Sequence, residues 1–153
     1  MAARIIHGAA GLRELVGEHI GYSDWLEITQ EQVVKFAEAT GDFQWIHIDV
    51  ERAKKESPFG GPIAHGYLTL SLGPALMPQV MQTTGFKMGV NYGCNKVRFM
   101  SPVPVGAKVR LGVTILAVDD VPGGVQQTLQ FSFETEGATK PSCVAEVIFR
   151  SFE

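Results

Sequence analysis

Cysteine is scarce in this chain. There are two in 153 residues, Cys94 and Cys143, with no Cys-x-x-Cys spacing. That argues against a disulfide framework and against a thiol-based metal or redox motif, so two reduced thiols are expected. Long apolar runs are missing as well. Gly, Pro, Thr or Ser interrupts each one well before the roughly 18 residues a membrane span requires. Near the start, Ile5-Ile6 is too short for the apolar region of a secretory signal, and His7 and Arg13 follow. The expectation is a cytoplasmic protein with no membrane span. No basic block occurs either. Lys and Arg total 13 against 16 Asp and Glu, for a net charge of -3 and a pI near 5.8. That argues against nucleic acid as a partner, although a local basic pocket for an anionic ligand is compatible with it. The four histidines show no His-x-His or His-x-x-x-His spacing, so no metal is expected. Neither Ser71 nor Ser101 sits in Gly-x-Ser-x-Gly, which disfavours a hydrolase nucleophile.

What is present reads as one globular domain over residues 1–153, with 45% hydrophobic and 19% charged residues. Arg4 to Gly17 alternates poorly as a strand, and Leu12, Leu15 and Val16 suit a short amphipathic helix. Gly17 to Ile28 reads as a loop feeding a strand. Thr29, with Gln32 three residues on, marks a helix start, and Gly41 marks its end. Val33, Phe36 and Ala37 then share one face. Ile46-His47-Ile48 reads as extended or turn-like, and Val50–Glu56 as a second helix. Ser57–Pro62 is irregular. Ile63–Val80 is apolar all round, predicting a buried helix with a break at Gly73-Pro74. Period-two patterning then predicts strands at Lys96–Phe99, Lys108–Val118, Val125–Thr135 and Ser142–Phe152. Asp119-Asp120 with Gly123-Gly124 is expected to turn the middle hairpin. The class is α+β: helices first, then an antiparallel sheet that packs around the apolar helix.

The stretch Ala39–Leu72 carries the chemistry. Asp42 and His47 follow a helix on one short segment, where a carboxylate and an imidazole can both reach a single water and exchange protons with it. The same spacing is compatible with Asp42 capping the turn and His47 lying at the surface. Gly66 stands near the start of the apolar helix. There the N–H groups of Gly66 and Tyr67 lack helical partners and can hold a developing oxyanion. Gly66 is equally explained by close packing against a strand. His65 either joins the site or bonds a loop carbonyl. Cys94 is a weak nucleophile candidate, and a buried packing role is expected for it.

Thr40-Gly41-Asp42-Phe43-Gln44-Trp45-Ile46-His47-Ile48-Asp49, then Ala53, then Phe59-Gly60-Gly61-Pro62-Ile63-Ala64-His65-Gly66, closely resembles the signature of the MaoC-like, R-specific enoyl-CoA hydratases, the hydratase 2 family. Val97-Arg98-Phe99-x-x-Pro102-Val103-x-Val105-Gly106 is similar to theirs too. The resemblance covers roughly residues 20 to 150. It implies a hot-dog fold, a curved antiparallel sheet wrapped around a long helix, commonly paired as a homodimer. The implied activity is reversible addition of water to a trans-2-enoyl-CoA thioester, giving the (3R)-3-hydroxyacyl product. Asp42 and His47 match the catalytic pair, and Gly66 matches the backbone N–H that binds the thioester oxygen. No cofactor or metal is implied, CoA being part of the substrate. The family usually has Asn-Pro where this chain has Gln44-Trp45. Gln44 can still supply an amide beside the pair, so the departure is expected to bear on the pocket and the acyl preference. Tyr67, Leu68, Met77 and Met81 are candidates to line the acyl chain, and Lys87, Lys96 and Arg98 are the cations available for CoA phosphates.

Two other readings of the same scaffold stand beside this one. An acyl-CoA thioesterase would turn the activated water on the thioester carbonyl. A dehydratase subunit would run the reaction backwards in fatty-acid elongation, or serve without catalysing; a non-catalytic subunit predicts a missing acid or histidine, and here both are present.

Overall fold

The computed structural model describes residues 2–153. Strand β1 (Arg4–His7) leads into helix α1 (Gly8–Glu14) and two short strands, β2 (His19–Tyr22) and β3 (Leu26–Glu27). Five helices follow: α2 (Gln30–Thr40), α3 (Trp45–Ile48), α4 (Val50–Glu56), α5 (Gly66–Ser71) and α6 (Gly73–Val80). Strands β4 (Met81–Thr84), β5 (Met88–Phe99), β6 (Lys108–Val121), β7 (Gly124–Thr135) and β8 (Cys143–Phe152) complete the chain. No helix among the described residues is long and apolar enough to cross a membrane.

The main sheet runs β2-β6-β7-β8-β5, with β3 also on β6, and every pairing in it is antiparallel. Strand β7 shows why. Its residues alternate strictly, and Leu129, Phe131 and Phe133 turn inward and are buried. They form one core with Leu68 of α5, Leu76 and Val80 of α6, and Leu72 between the two helices. Gly73 lets the helix lie directly on the sheet, since a Cβ there would sit 2.5 Å from the Phe131 ring. The expected break falls between α5 and α6 at Leu72. Pro74 sits in the first turn of α6, where its missing N–H leaves no helical bond unmade.

Several local expectations are corrected. Residues 4–7 form a strand, because β4 offers a parallel partner 77 residues further on, Arg4 opposite Met81. Strand β5 starts at Met88 rather than Lys96; most of its side chains are exposed on both faces, so it has no apolar alternation to read. Of the two readings of Ile46–Ile48 the turn holds, since the segment is part of one helical turn. The apolar helix starts at Gly66, because Ile63 bridges Pro104 and the Ala64 N–H donates to the Val103 carbonyl at 2.8 Å. Asp119 and Asp120 lie within β6, and Pro122-Gly123 makes the turn, with Gly123 at φ +81°. Cys143 is the buried thiol. Cys94 is exposed on β5, contrary to the packing role expected for it.

Candidate active site

The Thr29 hydroxyl accepts the Gln32 N–H at 3.1 Å and starts α2. Gly41, at φ +81°, ends it, its N–H returning 2.8 Å to the Ala37 carbonyl. A left-handed residue redirects the chain at once, so Asp42 stands just beyond the helix. The carboxylate is half exposed, and its Oδ1 accepts the Gln44 N–H at 3.3 Å. One turn later α3 presents His47. Gln30 holds the turn from α2, its amide donating to the His47 carbonyl at 2.8 Å.

The ring of His47 is buried, with Nδ1 2.7 Å from the Ile63 carbonyl. A carbonyl only accepts, so Nδ1 carries the hydrogen and Nε2 keeps a free lone pair. Burial pushes the His47 pKa below its ordinary value, and neighbouring His65 adds to the lowering. The Ile63 bond and Asp42 act the other way. The group is therefore a neutral base near pH 7.

His65 precedes α5, and its side chain is only 2% exposed. Its Nε2–H donates to the Asp42 carbonyl at 3.0 Å and lies 3.9 Å from Asp42 Oδ2. The ring stacks on His47 with centroids 3.9 Å apart and planes 25° apart, while Phe36 contacts it at 4.8 Å. One oxygen of Asp42 and one nitrogen from each histidine lie within 4.8 Å of one another. Two hydrogen bonds of about 2.8 Å through one water span such a gap. With its Nε2–H committed to the Asp42 carbonyl, His65 offers no lone pair at that nitrogen, which suits the cluster to proton handling more than to tetrahedral ligation.

Beside this cluster lies a cavity of about 330 Å³, walled by His47, Gly66, Phe59, Phe99, Met100 and Val103. Gly66 is the first residue of α5, so its N–H has no partner within the helix. A Cβ on it would meet the Phe99 ring at 3.0 Å, so glycine lets the helix start and the end of β5 close on the cavity. Asp42, His47 and Gly66 are thus brought together. Gln44 caps α3 through its backbone, with φ −56° and ψ 135°. Tyr67 is 69% exposed, its ring centroid 5.5 Å from that of Phe99 and nearly perpendicular to it, and it does not line the cavity. Leu68 is in the core, and Met77 and Met81 line a separate space of about 220 Å³. The residues missed in the sequence are Gln30, which holds His47, and Phe59, Phe99, Met100 and Ser142 of the wall. Of these, Phe59 and Phe99 lay in the stretches that carry the family resemblance, where neither was given a role. Neither thiol is set up as a nucleophile: burial raises Cys94 and holds Cys143 up at about 11.

Residues 12–136 match the MaoC like domain family. The chain belongs to that family. Over 148 residues it is 51% identical to a protein of Mycobacterium tuberculosis named 3-hydroxyacyl-thioester dehydratase Z, covering 96% of this chain and 97% of that one. Over 139 residues it is 42% identical to nodulation protein N of Rhizobium leguminosarum, covering 87% and 84%. Among solved structures, an (R)-hydratase from A. caviae involved in PHA biosynthesis superposes with a TM-score of 0.72 at 26% identity, over 88% of this chain and 94% of that one. The α+β architecture, an open antiparallel sheet against α5 and α6, is the hot-dog fold of the MaoC-like family, and the chain is an enzyme of the hydratase and dehydratase type.

Proposed function

We propose that this MaoC-like enzyme catalyses the reversible hydration of trans-2-enoyl-CoA thioesters to (3R)-3-hydroxyacyl-CoA. One observation carries the reading. Asp42, His47 and His65 each bring one oxygen or nitrogen within 4.8 Å of the others, His47 keeps its Nε2 free, and beside them lies a mostly apolar cavity lined by Gly66, whose N–H has no partner within its helix. In the forward direction Asp42 and His47 hold the water. As its oxygen bonds to C3, His47 Nε2 takes one of its protons. The C2–C3 π electrons move toward the thioester carbonyl, whose oxygen is held by the Gly66 N–H. Collapse of that enolate takes a proton at C2 from the protonated pair, so water has been added across the double bond and the enzyme is restored. The same steps reversed are the dehydration that the mycobacterial relative's name describes. No redox group or metal is needed for either direction. Phe59, Phe99 and Met100 suit the acyl chain, and the exposed Lys87, Lys96 and Arg98 stay the candidate cations for CoA phosphates.

The reading includes a homodimer in the cytoplasm. Strand β5 pairs on one edge only, with β8, yet exposes Met88, Val90, Tyr92 and Phe99. A twelve-residue edge that exposes these large side chains invites a second strand, and a second copy of the chain supplies it. Two free thiols fit a reducing compartment. Size-exclusion chromatography should give twice the chain's 16.6 kDa; a stable monomer would count against the pairing.

The decisive experiment follows the enoyl absorbance of crotonyl-CoA. Asp42→Asn and His47→Ala should each remain folded and lose about 10²–10⁴-fold in rate, the scale of general acid–base catalysis. Full activity in either variant, or an S product from the wild type, would overturn the proposal. Release of free CoA without hydration would point to a thioesterase instead.

A further inference from the structure

We infer that His65 is a positioning residue for this reaction, tying the acid and the base to the start of the oxyanion helix; the inference rests on the hydratase reading above. Two contacts of one side chain and the backbone it stands on carry it. Its Nε2–H is bonded to the backbone carbonyl of Asp42 at 3.0 Å, which fixes the turn that carries the carboxylate. Its flat face lies on the His47 ring at 3.9 Å, which fixes the plane in which the Nε2 lone pair of His47 points. Its own backbone occupies the cap position of α5, and its carbonyl accepts the Leu68 and Thr69 N–H groups at 3.1 and 3.3 Å. Gly66 is the next residue. A displacement of His65 would therefore move the proton acceptor, the water-holding carboxylate and the oxyanion donor together.

Stability alone does not account for a histidine here. The site is closed to solvent, and Nδ1 has no hydrogen-bond partner among the described residues. An unpaired buried polar atom costs about 1–3 kcal/mol. Phe36 on another side of the ring shows that the surroundings accept an apolar neighbour, so an aromatic hydrocarbon would fill the space without that penalty. What phenylalanine lacks is a donor at the Nε2 position. That donor is what the Asp42 carbonyl receives, and a preorganised site depends on supports of this kind being held within a fraction of an ångström.

Two amides separate the donor from the bulk. The side-chain nitrogen of glutamine reaches the place of Nε2, whereas that of asparagine stops near the place of Nδ1. His65→Gln keeps the bond to Asp42, and His65→Asn has the same chemistry without the reach. With crotonyl-CoA as the probe, H65N should lose about 10²-fold in kcat, the effect of an ångström-scale misplacement, with KM changed less than about threefold. H65Q should recover at least tenfold of that loss. His65→Phe should melt at or above the wild-type temperature while matching H65N in kcat. Equal kcat for folded H65Q and H65N would overturn the inference, as would full activity of H65F. Should H65F fail to fold, the glutamine-to-asparagine ratio still decides. An inactive wild-type chain sinks the hydratase reading and this inference with it; an active wild type with no difference between the two amides sinks the inference alone.

Discussion

Replacing Gly66, the proposed oxyanion donor, with alanine puts one methyl group against the Phe99 ring of the cavity wall. The new Cβ would stand 3.0 Å from Cγ and Cδ1 of Phe99, where ordinary contact begins at 3.4 Å, so something must move by about 0.4 Å. The Gly66 backbone is helical and does not lie at positive φ, so alanine adds no backbone strain. The overpacking cost sits at the low end of its range, about 1 kcal/mol, because Phe99 is 46% exposed and its ring can turn outward. Glycine to alanine in a helix returns a similar amount through propensity. The two offset, and the melting temperature should move by no more than about 2–4 °C. Catalysis has no such compensation. If a 1 Å misplacement costs about 10²-fold, a shift of about 0.4 Å costs roughly sixfold in kcat. Shortening the opposing ring should remove the cause, so Gly66→Ala in a Phe99→Leu background should lose less than about twofold. The assay is the loss of enoyl absorbance from crotonyl-CoA at saturating and limiting concentrations in all four members of the cycle. Wild-type kcat in the single variant, or the same loss in both backgrounds, would refute the link between Phe99 and the position of the Gly66 N–H.

Two further predictions follow from the histidine and from the departure beside it. Burial holds the His47 pKa below 6.5, and the base works only when neutral. The acid limb of kcat/KM should therefore lie below pH 6.5, and a limb above that value would contradict the geometry. The same shift links to stability: the unfolded chain binds this proton more readily, so the contribution of neutral His47 is present above pH 6.5 and fades as pH falls through the folded pKa. Trp45→Pro should be tolerated, with stability within about 1 kcal/mol of wild type and kcat within about threefold. Position 45 opens α3, where no helical N–H bond is lost, and Gln44 already has the extended ψ of 135° that a following proline requires. The stack of Arg52 over the Trp45 ring at 4.2 Å is half exposed and contributes about 0.5–1 kcal/mol. A melting temperature lowered by more than about 10 °C would show that Trp45 does more than this.

The parts legible in the sequence were those that local chemistry decides. Thr29 and Gly41 bracket α2 because caps act within a few residues. The alternation from Val125 to Thr135 reads directly as β7 because one face is buried throughout. The order of acid, imidazole and glycine could be read against a family signature. What stayed hidden depends on remote partners. Arg4–His7 is a strand only beside β4, and β5 conceals itself because nothing covers its side chains. Gln30 gave no sign of holding a carbonyl 17 residues away. His65 had its two readings resolved into one contact, since the carbonyl it bonds belongs to Asp42 itself. Tyr67 follows Gly66 in the chain but turns outward at the helix start, which adjacency in sequence does not reveal.

Asp42, His47 and Gly66, the proposed acid, base and oxyanion donor, all lie between residues 42 and 66, ahead of the long strands. Much of the wall that would meet the acyl chain comes from later in the chain, from Phe99 through Val103 and from Ser142. Heritable change can therefore fall on one segment and spare the other. Substitutions at the end of β5 or in the loop after it can reshape which chains fit while the water-handling turn is inherited intact. A family built this way can diversify its substrates by drift along one stretch of a gene, with the reaction itself transmitted on another.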